Sequence, residues 1–215
     1  MKLAAIVFDL DGVLVDSEQL WDSARRELVA ERDGTWTDDA TRAMMGMSSP
    51  EWSGYLRDEL GVDLEPLAIS AAVIERLERL YRERLPLLPG AREAVVATSE
   101  RWPLGLASSS NREIIDLVLE LAELDTYFEA TVSAEEVPRG KPAPDVYLEA
   151  ARRLGVSPSA CAAVEDSTNG LRSAAAARMS VIAIPNQTFP PSEDALQLAA
   201  ATIHSLDELV PMLEA

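Results

Sequence analysis

The chain of 215 residues holds one cysteine, one histidine and only two lysines, Lys2 and Lys141, beside 17 arginines. The lone Cys161 excludes an intramolecular disulfide and any CxxC metal or redox motif. It lies in the apolar run Ala160-Cys161-Ala162-Ala163-Val164 and reads as a small buried side chain. The lone His204 excludes a zinc site built from several histidines and leaves a Ser–His triad without a base near its nucleophile. Acid–base chemistry therefore falls to carboxylates. No hydrophobic run approaches the roughly 18 residues that span a membrane, and the six apolar residues 3–8 are too few for a signal-peptide core. A cytoplasmic protein is expected. Basic residues are also in deficit, with 19 Lys plus Arg against 37 Asp plus Glu and a net charge of −18. Such a surface excludes sequence-independent binding to nucleic acid or anionic membrane.

What remains is the composition of a globular protein, 47 % hydrophobic and 26 % charged. Residues 3–8 form a short continuous apolar run, the pattern of a strand buried on both faces, and it stops abruptly at Asp9-Leu10-Asp11-Gly12. Similar runs follow at 103–107, 160–164 and 180–184, with a weaker one at 130–133. Helical patterns separate them. Ser110-Asn111-Arg112-Glu113 has capping-box spacing, residues 145–154 and 168–178 read as two further helices, and Ser157-Pro158 reads as a helix start. Alternating strands and helices predict an α/β fold with a doubly wound parallel sheet.

Residues 16–86 break this rhythm. They carry no comparable apolar run, but Leu20, Ala24 and Leu28 form one helical stripe, and Leu67, Val73, Ile74, Leu77, Leu80 and Tyr81 form another. Ser49-Pro50 opens a third helix, while Gly34 and Gly61 fall in turns. The segment also holds Trp21, Trp36, Trp52 and the Met44-Met45-Gly46-Met47 cluster. It reads as an all-helical insert after the first strand, with residues 85–90 as the return linker. The expected division is a core of residues 1–15 and 87–215 and an insert of residues 16–86. Nothing in the pattern demands more than a monomer.

In a doubly wound sheet, ligands sit at the carboxyl ends of the strands near the switch point. The polar residues closing the apolar runs are Asp9 and Asp11, then Ser108 and Ser109, then Glu165 and Asp166. Lys141 lies in a loop leading into a helix. Carboxylates gathered at one point repel one another unless a cation neutralises them. Oxygen ligands without His or Cys suit Mg²⁺, which is commonly shared with a phosphate, and Lys141 supplies a compact positive charge for further phosphate oxygens.

Asp9-Leu10-Asp11-Gly12-Val13-Leu14-Val15-Asp16-Ser17, Ala107-Ser108-Ser109-Ser110-Asn111, Gly140-Lys141-Pro142-Ala143-Pro144-Asp145 and Val164-Glu165-Asp166-Ser167 resemble, in order, the four motifs of the haloacid dehalogenase-like superfamily. The resemblance covers essentially the whole chain and is greatest to the subgroup of phosphatases and β-phosphoglucomutases. It implies a Rossmann-like core with a helical cap domain. It also implies a small phosphorylated metabolite as partner, attacked by Asp9 to give an aspartyl phosphate, with Asp11 as general acid and then base. By the same resemblance Mg²⁺ is held by Asp9, the backbone carbonyl of Asp11 and Asp166, with Glu165 a further ligand or a partner of the ligands. Ser108, Ser109, Asn111 and Lys141 would bind phosphate.

The dehalogenases lack the second Asp, so Asp11 points to phosphoryl chemistry. The mutases carry a His and an Arg in the cap, and in register those positions hold Trp21 and Ser49. A phosphatase acting on a small organic phosphate is therefore favoured over a phosphosugar mutase. Signalling receiver domains also use Asp, Ser or Thr and Lys at parallel strand ends, but they are shorter and have no helical insert. A phosphate-binding regulator without catalysis is the alternative of another class, and the set Asp9, Asp11, Lys141 and Asp166 argues against it. Trp21 and the Met44–Met47 cluster either contact substrate or pack the insert's own core.

Overall fold

The computed structural model describes residues 3–44 and 47–214. Among these residues the chain forms β1 (Ala5–Phe8), then four helices, α1 (Glu18–Glu31), α2 (Ala40–Met44), α3 (Ser49–Asp58) and α4 (Pro66–Glu83). There follow α5 (Ala91–Ser99), β2 (Leu104–Ser108), α6 (Arg112–Leu121), β3 (Phe128–Ser133) and α7 (Asp145–Arg153). The last part comprises β4 (Cys161–Glu165), α8 (Thr168–Ala176), β5 (Ser180–Ala183), α9 (Glu193–Leu196), β6 (Ala201–Thr202) and α10 (Leu209–Glu214). Every strand pairing is parallel, in the order β3-β2-β1-β4-β5-β6. This is a doubly wound α/β sheet.

The continuous apolar runs follow from burial on both faces. Along β1, Ile6 and Phe8 pack with Leu104, Leu106 and Val164 on one side. Ala5 and Val7 pack with Ala163 and Val181 on the other. A strand of period two that meets a helical layer on each face has no position left for a polar residue. The chain winds outward from β1 through β2 to β3, then returns to place β4 on the opposite side of β1. That reversal is the switch point. Register pairs Phe8 with both Leu106 and Val164, so Asp9 emerges beside Glu165 and level with the end of β2.

Helices α1 to α4 pack on one another, with α4 against α1 and α3. The two connecting stretches run side by side. Val15 bridges Leu87 in antiparallel fashion, Asp16 N donates to Pro86 O at 2.9 Å, and Leu88 N donates to Leu14 O at 2.9 Å. Among the described residues no helix is long and apolar enough to cross a membrane. Cys161 is buried on β4, and burial pushes its thiol up to about 11, as a packing residue requires.

Several local expectations need correction. Leu67 does not join the α4 stripe: it is 85 % exposed, one residue into the helix, before the buried face begins at Ile69. Helix α6 starts at Arg112 without a side-chain cap, because the Ser110 and Asn111 side chains bond elsewhere. Ser157-Pro158 opens only a single 3₁₀ turn, Pro158–Ala160, before β4. The two-residue β6 escaped notice because it is too short for a period. Met45 and Gly46 of the methionine cluster, and Lys2, lie outside the described residues.

Candidate active site

The loop after β1 is tight, with Gly12 N donating to Val15 O at 2.8 Å and Leu14 N to Leu10 O at 2.9 Å. Gly12 has φ +80, and a Cβ there would lie 1.9 Å from Asp166 Oδ2. Only glycine permits both the left-handed backbone and the approach of Asp166. Asp9, Glu165 and Asp166 converge, all buried, with one carboxylate oxygen from each within 4.8 Å of the others. Lys141 reaches them from the loop before α7. Its Nζ donates to Asp9 Oδ1 at 2.7 Å and to Glu165 Oε1 at 2.6 Å.

Glu165 is fully buried and fully engaged. Besides Lys141, its Oε1 accepts from Tyr147 Oη at 2.8 Å, and its Oε2 accepts from the Asp166 and Ser167 amides at 3.1 and 3.3 Å. The carboxylate thus sits over the N-terminus of α8, where a negative charge is favourable. Gly170 makes room for it, since a Cβ there would meet Glu165 Oε1 at 1.8 Å. Glu165 therefore positions Lys141, while Asp9 and Asp166 face the cavity.

Charge decides what the cluster can hold. Three carboxylates and one ammonium, when ionised, leave two negative charges uncompensated in a buried site. Burial pushes the Asp9 carboxyl up to about 8; Lys141 opposes this, while Glu165 and Asp11 add to it. Burial, then Glu165 and Asp9, raise Asp166 well above the ordinary carboxylate range. For Lys141, burial alone would lower the ammonium, but Asp9 and Glu165 outweigh it and hold the group above its usual value. An all-oxygen donor set with this charge deficit fits a hard divalent cation.

Asp11 faces the same space from the next turn. Its Oδ1 accepts from Ser17 Oγ at 2.5 Å and Trp21 Nε1 at 3.3 Å; its Oδ2 accepts from Ser110 Oγ at 2.7 Å and Ser108 Oγ at 3.3 Å. Sheet and insert both hold it. A cavity of about 500 Å³ opens between them, floored by Asp9, Asp11, Ser109, Lys141 and Asp166. On the insert side it is walled by Trp21, Arg25, Met44, Met47 and Trp52.

The structure thus brings together Asp9, Asp11, Ser109, Lys141, Glu165 and Asp166. Ser108 is fully buried beneath them, accepting from Ser110 N at 2.9 Å. Asn111 is turned away: its side-chain oxygen accepts from Ser49 Oγ at 2.9 Å and its amide donates to Glu135. The place proposed for it beside phosphate is filled by nothing from Asn111. Sequence reasoning missed Ser17, Ser110 and Tyr147. Ser110 could have been found as part of the Ser108-Ser109-Ser110 run, whereas Tyr147 left no signal beyond a helical apolar position. Asn186, whose Nδ2 lies 3.5 Å from Asp166 Oδ2, also carried none.

A doubly wound sheet with an inserted helical layer and buried carboxylates at its switch point defines a class of hydrolytic α/β enzymes. Residues 3–178 match the family model described as haloacid dehalogenase-like hydrolase. The chain is 38 % identical to hexitol phosphatase B of Escherichia coli (strain K12), covering 97 % of this chain and 95 % of that protein. It is 30 % identical to the phosphorylated carbohydrates phosphatase of Thermotoga maritima, covering 99 % of each. The crystal structure of CbbY from Rhodobacter sphaeroides in complex with phosphate superimposes with a TM-score of 0.88 at 27 % identity, covering 99 % of this chain and 100 % of that one. The chain belongs to the haloacid dehalogenase-like hydrolases, in the subgroup of phosphatases and β-phosphoglucomutase-like proteins.

Proposed function

We propose that the protein is a Mg²⁺-dependent phosphatase that hydrolyses the phosphate monoester of a small polyol or sugar through an aspartyl phosphate on Asp9. The observation that carries this is Asp9, hydrogen-bonded to Lys141 and facing Asp11 across one cavity. Relatives named for hexitol and carbohydrate phosphates support the substrate class.

Asp9 attacks phosphorus, forming an Oδ–P bond as the ester oxygen departs. Asp11, reached by four hydroxyl and indole donors, gives its proton to that oxygen and then takes one from the water that cleaves the acyl phosphate. Lys141 and the Ser109 backbone amide offer positive charge and a donor to phosphate oxygens. Asp9, the backbone carbonyl of Asp11 and Asp166 would hold Mg²⁺, with Glu165 supporting through Lys141. When bound, the ion offsets the charge of nucleophile and phosphate so that two anions can meet. Residues 16–86 act as a cap that closes about the paired linkers at Val15 and Leu87 and excludes bulk water.

The mutase reading loses ground at two positions. Trp21, where the mutases carry His, donates to Asp11, and Ser49, where they carry Arg, is buried against Asn111. Within this proposal the protein is a cytoplasmic monomer whose partner is a phosphorylated metabolite, and the net charge of −18 supports the exclusion of nucleic acid and anionic membrane. Release of p-nitrophenol from its phosphate ester tests the reading. Turnover with Mg²⁺ that is lost on chelation and in Asp9→Asn is expected. Turnover that survives both removes the proposal, and no turnover of any phosphate ester favours a regulator.

A further inference from the structure

The insert wall of the cavity contains an arginine with no partner among the described residues for part of its guanidinium. Arg25 is only 6 % exposed, yet it lines the cavity. Its guanidinium carbon lies 4.9 Å from the Trp21 ring centre and 5.1 Å from that of Trp52. Two indole faces therefore hold the cation, and hold it rigidly. Its Nε is buried and has no hydrogen-bond partner among the described residues. Glu18, two helical turns earlier on α1 and lining the same cavity, also has a buried carboxylate oxygen, Oε1, without a partner among them. Folded proteins rarely leave a charged donor and a charged acceptor buried and unmet, because each loses its water without a replacement. A ligand that supplies both halves resolves the pair.

We propose that Arg25 and Glu18 form a subsite that reads neutral vicinal hydroxyls on the leaving group, selecting singly phosphorylated polyols or monosaccharides and rejecting those with a second anionic group. This rests on the phosphatase reading above. Adjacent hydroxyls on one ligand can meet both groups, one accepting from Arg25 and the next donating to Glu18. A second phosphate would satisfy Arg25 but face Glu18 and Asp16 on the same wall. The wall carries Arg25 and Arg42 against Asp16 and Glu18, so its charges cancel, whereas the floor would take a phosphate beside Lys141 once a divalent cation offsets its carboxylates. Burial pulls the Arg25 guanidinium down to about 10, opposed by Glu18 and Asp22, so it stays charged at neutral pH. Trp21 joins the subsite to the chemistry, because its indole N–H also donates to Asp11. Hydroxyl contacts made there can tighten the leaving oxygen's position beside the general acid.

The test uses the full chain with Mg²⁺ and three substrates: sorbitol 6-phosphate, sorbitol 1,6-bisphosphate, and p-nitrophenyl phosphate, which has no hydroxyl to read. The natural chain should prefer the monophosphate over the bisphosphate by at least about tenfold in kcat/KM. In Arg25→Met the ratio of kcat/KM for sorbitol 6-phosphate to that for p-nitrophenyl phosphate should fall by about tenfold or more, chiefly through KM. Arg25→Lys should restore part of that ratio, and Glu18→Gln should raise relative turnover of the bisphosphate. If Arg25→Met does not fold, as judged by thermal unfolding, the other two variants carry the same ratios. An equal fall on sorbitol 6-phosphate and p-nitrophenyl phosphate, or a bisphosphate turned over as well as the monophosphate, overturns the subsite while leaving the phosphatase reading intact. No turnover of any of the three esters by the natural chain overturns both.

Discussion

The floor and the wall of the cavity are built on opposite plans. On the floor, polar side chains meet protein partners: Glu165 is taken up by Lys141, Tyr147 and two backbone amides, and Asp11 by four donors. On the wall, Arg25 and Glu18 keep buried atoms without partners among the described residues. A network satisfied in advance holds a nucleophile and an acid in fixed geometry, which suits a reaction common to many substrates. Groups left open suit recognition of one substrate. On the function proposed above, the difference assigns chemistry and selectivity to separate parts of the chain, joined through the Trp21–Asp11 hydrogen bond.

The sharpest way to break this division is to remove the nucleophile. Asp9→Asn should lower kcat on every phosphate ester by at least about 10⁴-fold, measured in parallel on p-nitrophenyl and sugar phosphates; a loss confined to one substrate would merge floor and wall. Next comes Lys141→Met, which leaves Asp9 and Glu165 buried with no cation. It should cost about 3–5 kcal/mol of stability, read from urea unfolding in the presence of chelator. An unchanged midpoint would mean that the buried network does not support the floor.

The pH dependence of the metal-free protein probes the same charges. Asp9 lies at about 8 in the fold against an ordinary 3.8. A raised carboxyl contributes stability that is complete below its ordinary value and is lost as pH rises through the folded value. In chelator, stability should therefore decline between about pH 4 and pH 8. Added Mg²⁺ should recover more of it the higher the pH, and a Mg²⁺ benefit that is flat across this window would contradict the placement of the ion. The smallest effect tests the joint itself. Trp21→Phe removes a long 3.3 Å donor to Asp11, and should reduce kcat by no more than about fivefold, on the order of 1 kcal/mol.

The floor was legible from sequence and the wall was not, and the reason is geometric. An apolar run buried on both faces can end only where the sheet ends, so Asp9 after Phe8 and Glu165 after Val164 were located by the strands themselves. Lys141 stands out as one of only two lysines, and it and Gly12 fall in motifs that resemble those of the family. Recognition on the wall depends on how far each helix is rotated, which periodicity specifies only coarsely. Leu67 fell outside its stripe for that reason. Nothing in the sequence distinguishes Arg25 from the other arginines; what does so is the enclosure of its guanidinium by the Trp21 and Trp52 rings. Asn111 failed differently. A turn residue beside a site has several partners in reach, and Ser49 and Glu135 are 62 and 24 residues away in sequence.

The central claim is that Asp9 becomes phosphorylated. Borohydride added during steady turnover with Mg²⁺ reduces an acyl phosphate to an alcohol, and mass spectrometry of the digested protein locates the change. The account predicts homoserine at position 9 and an unmodified aspartate at position 11, only when substrate is present. Homoserine at position 11, or reduction at neither residue while phosphate is being released, would contradict it.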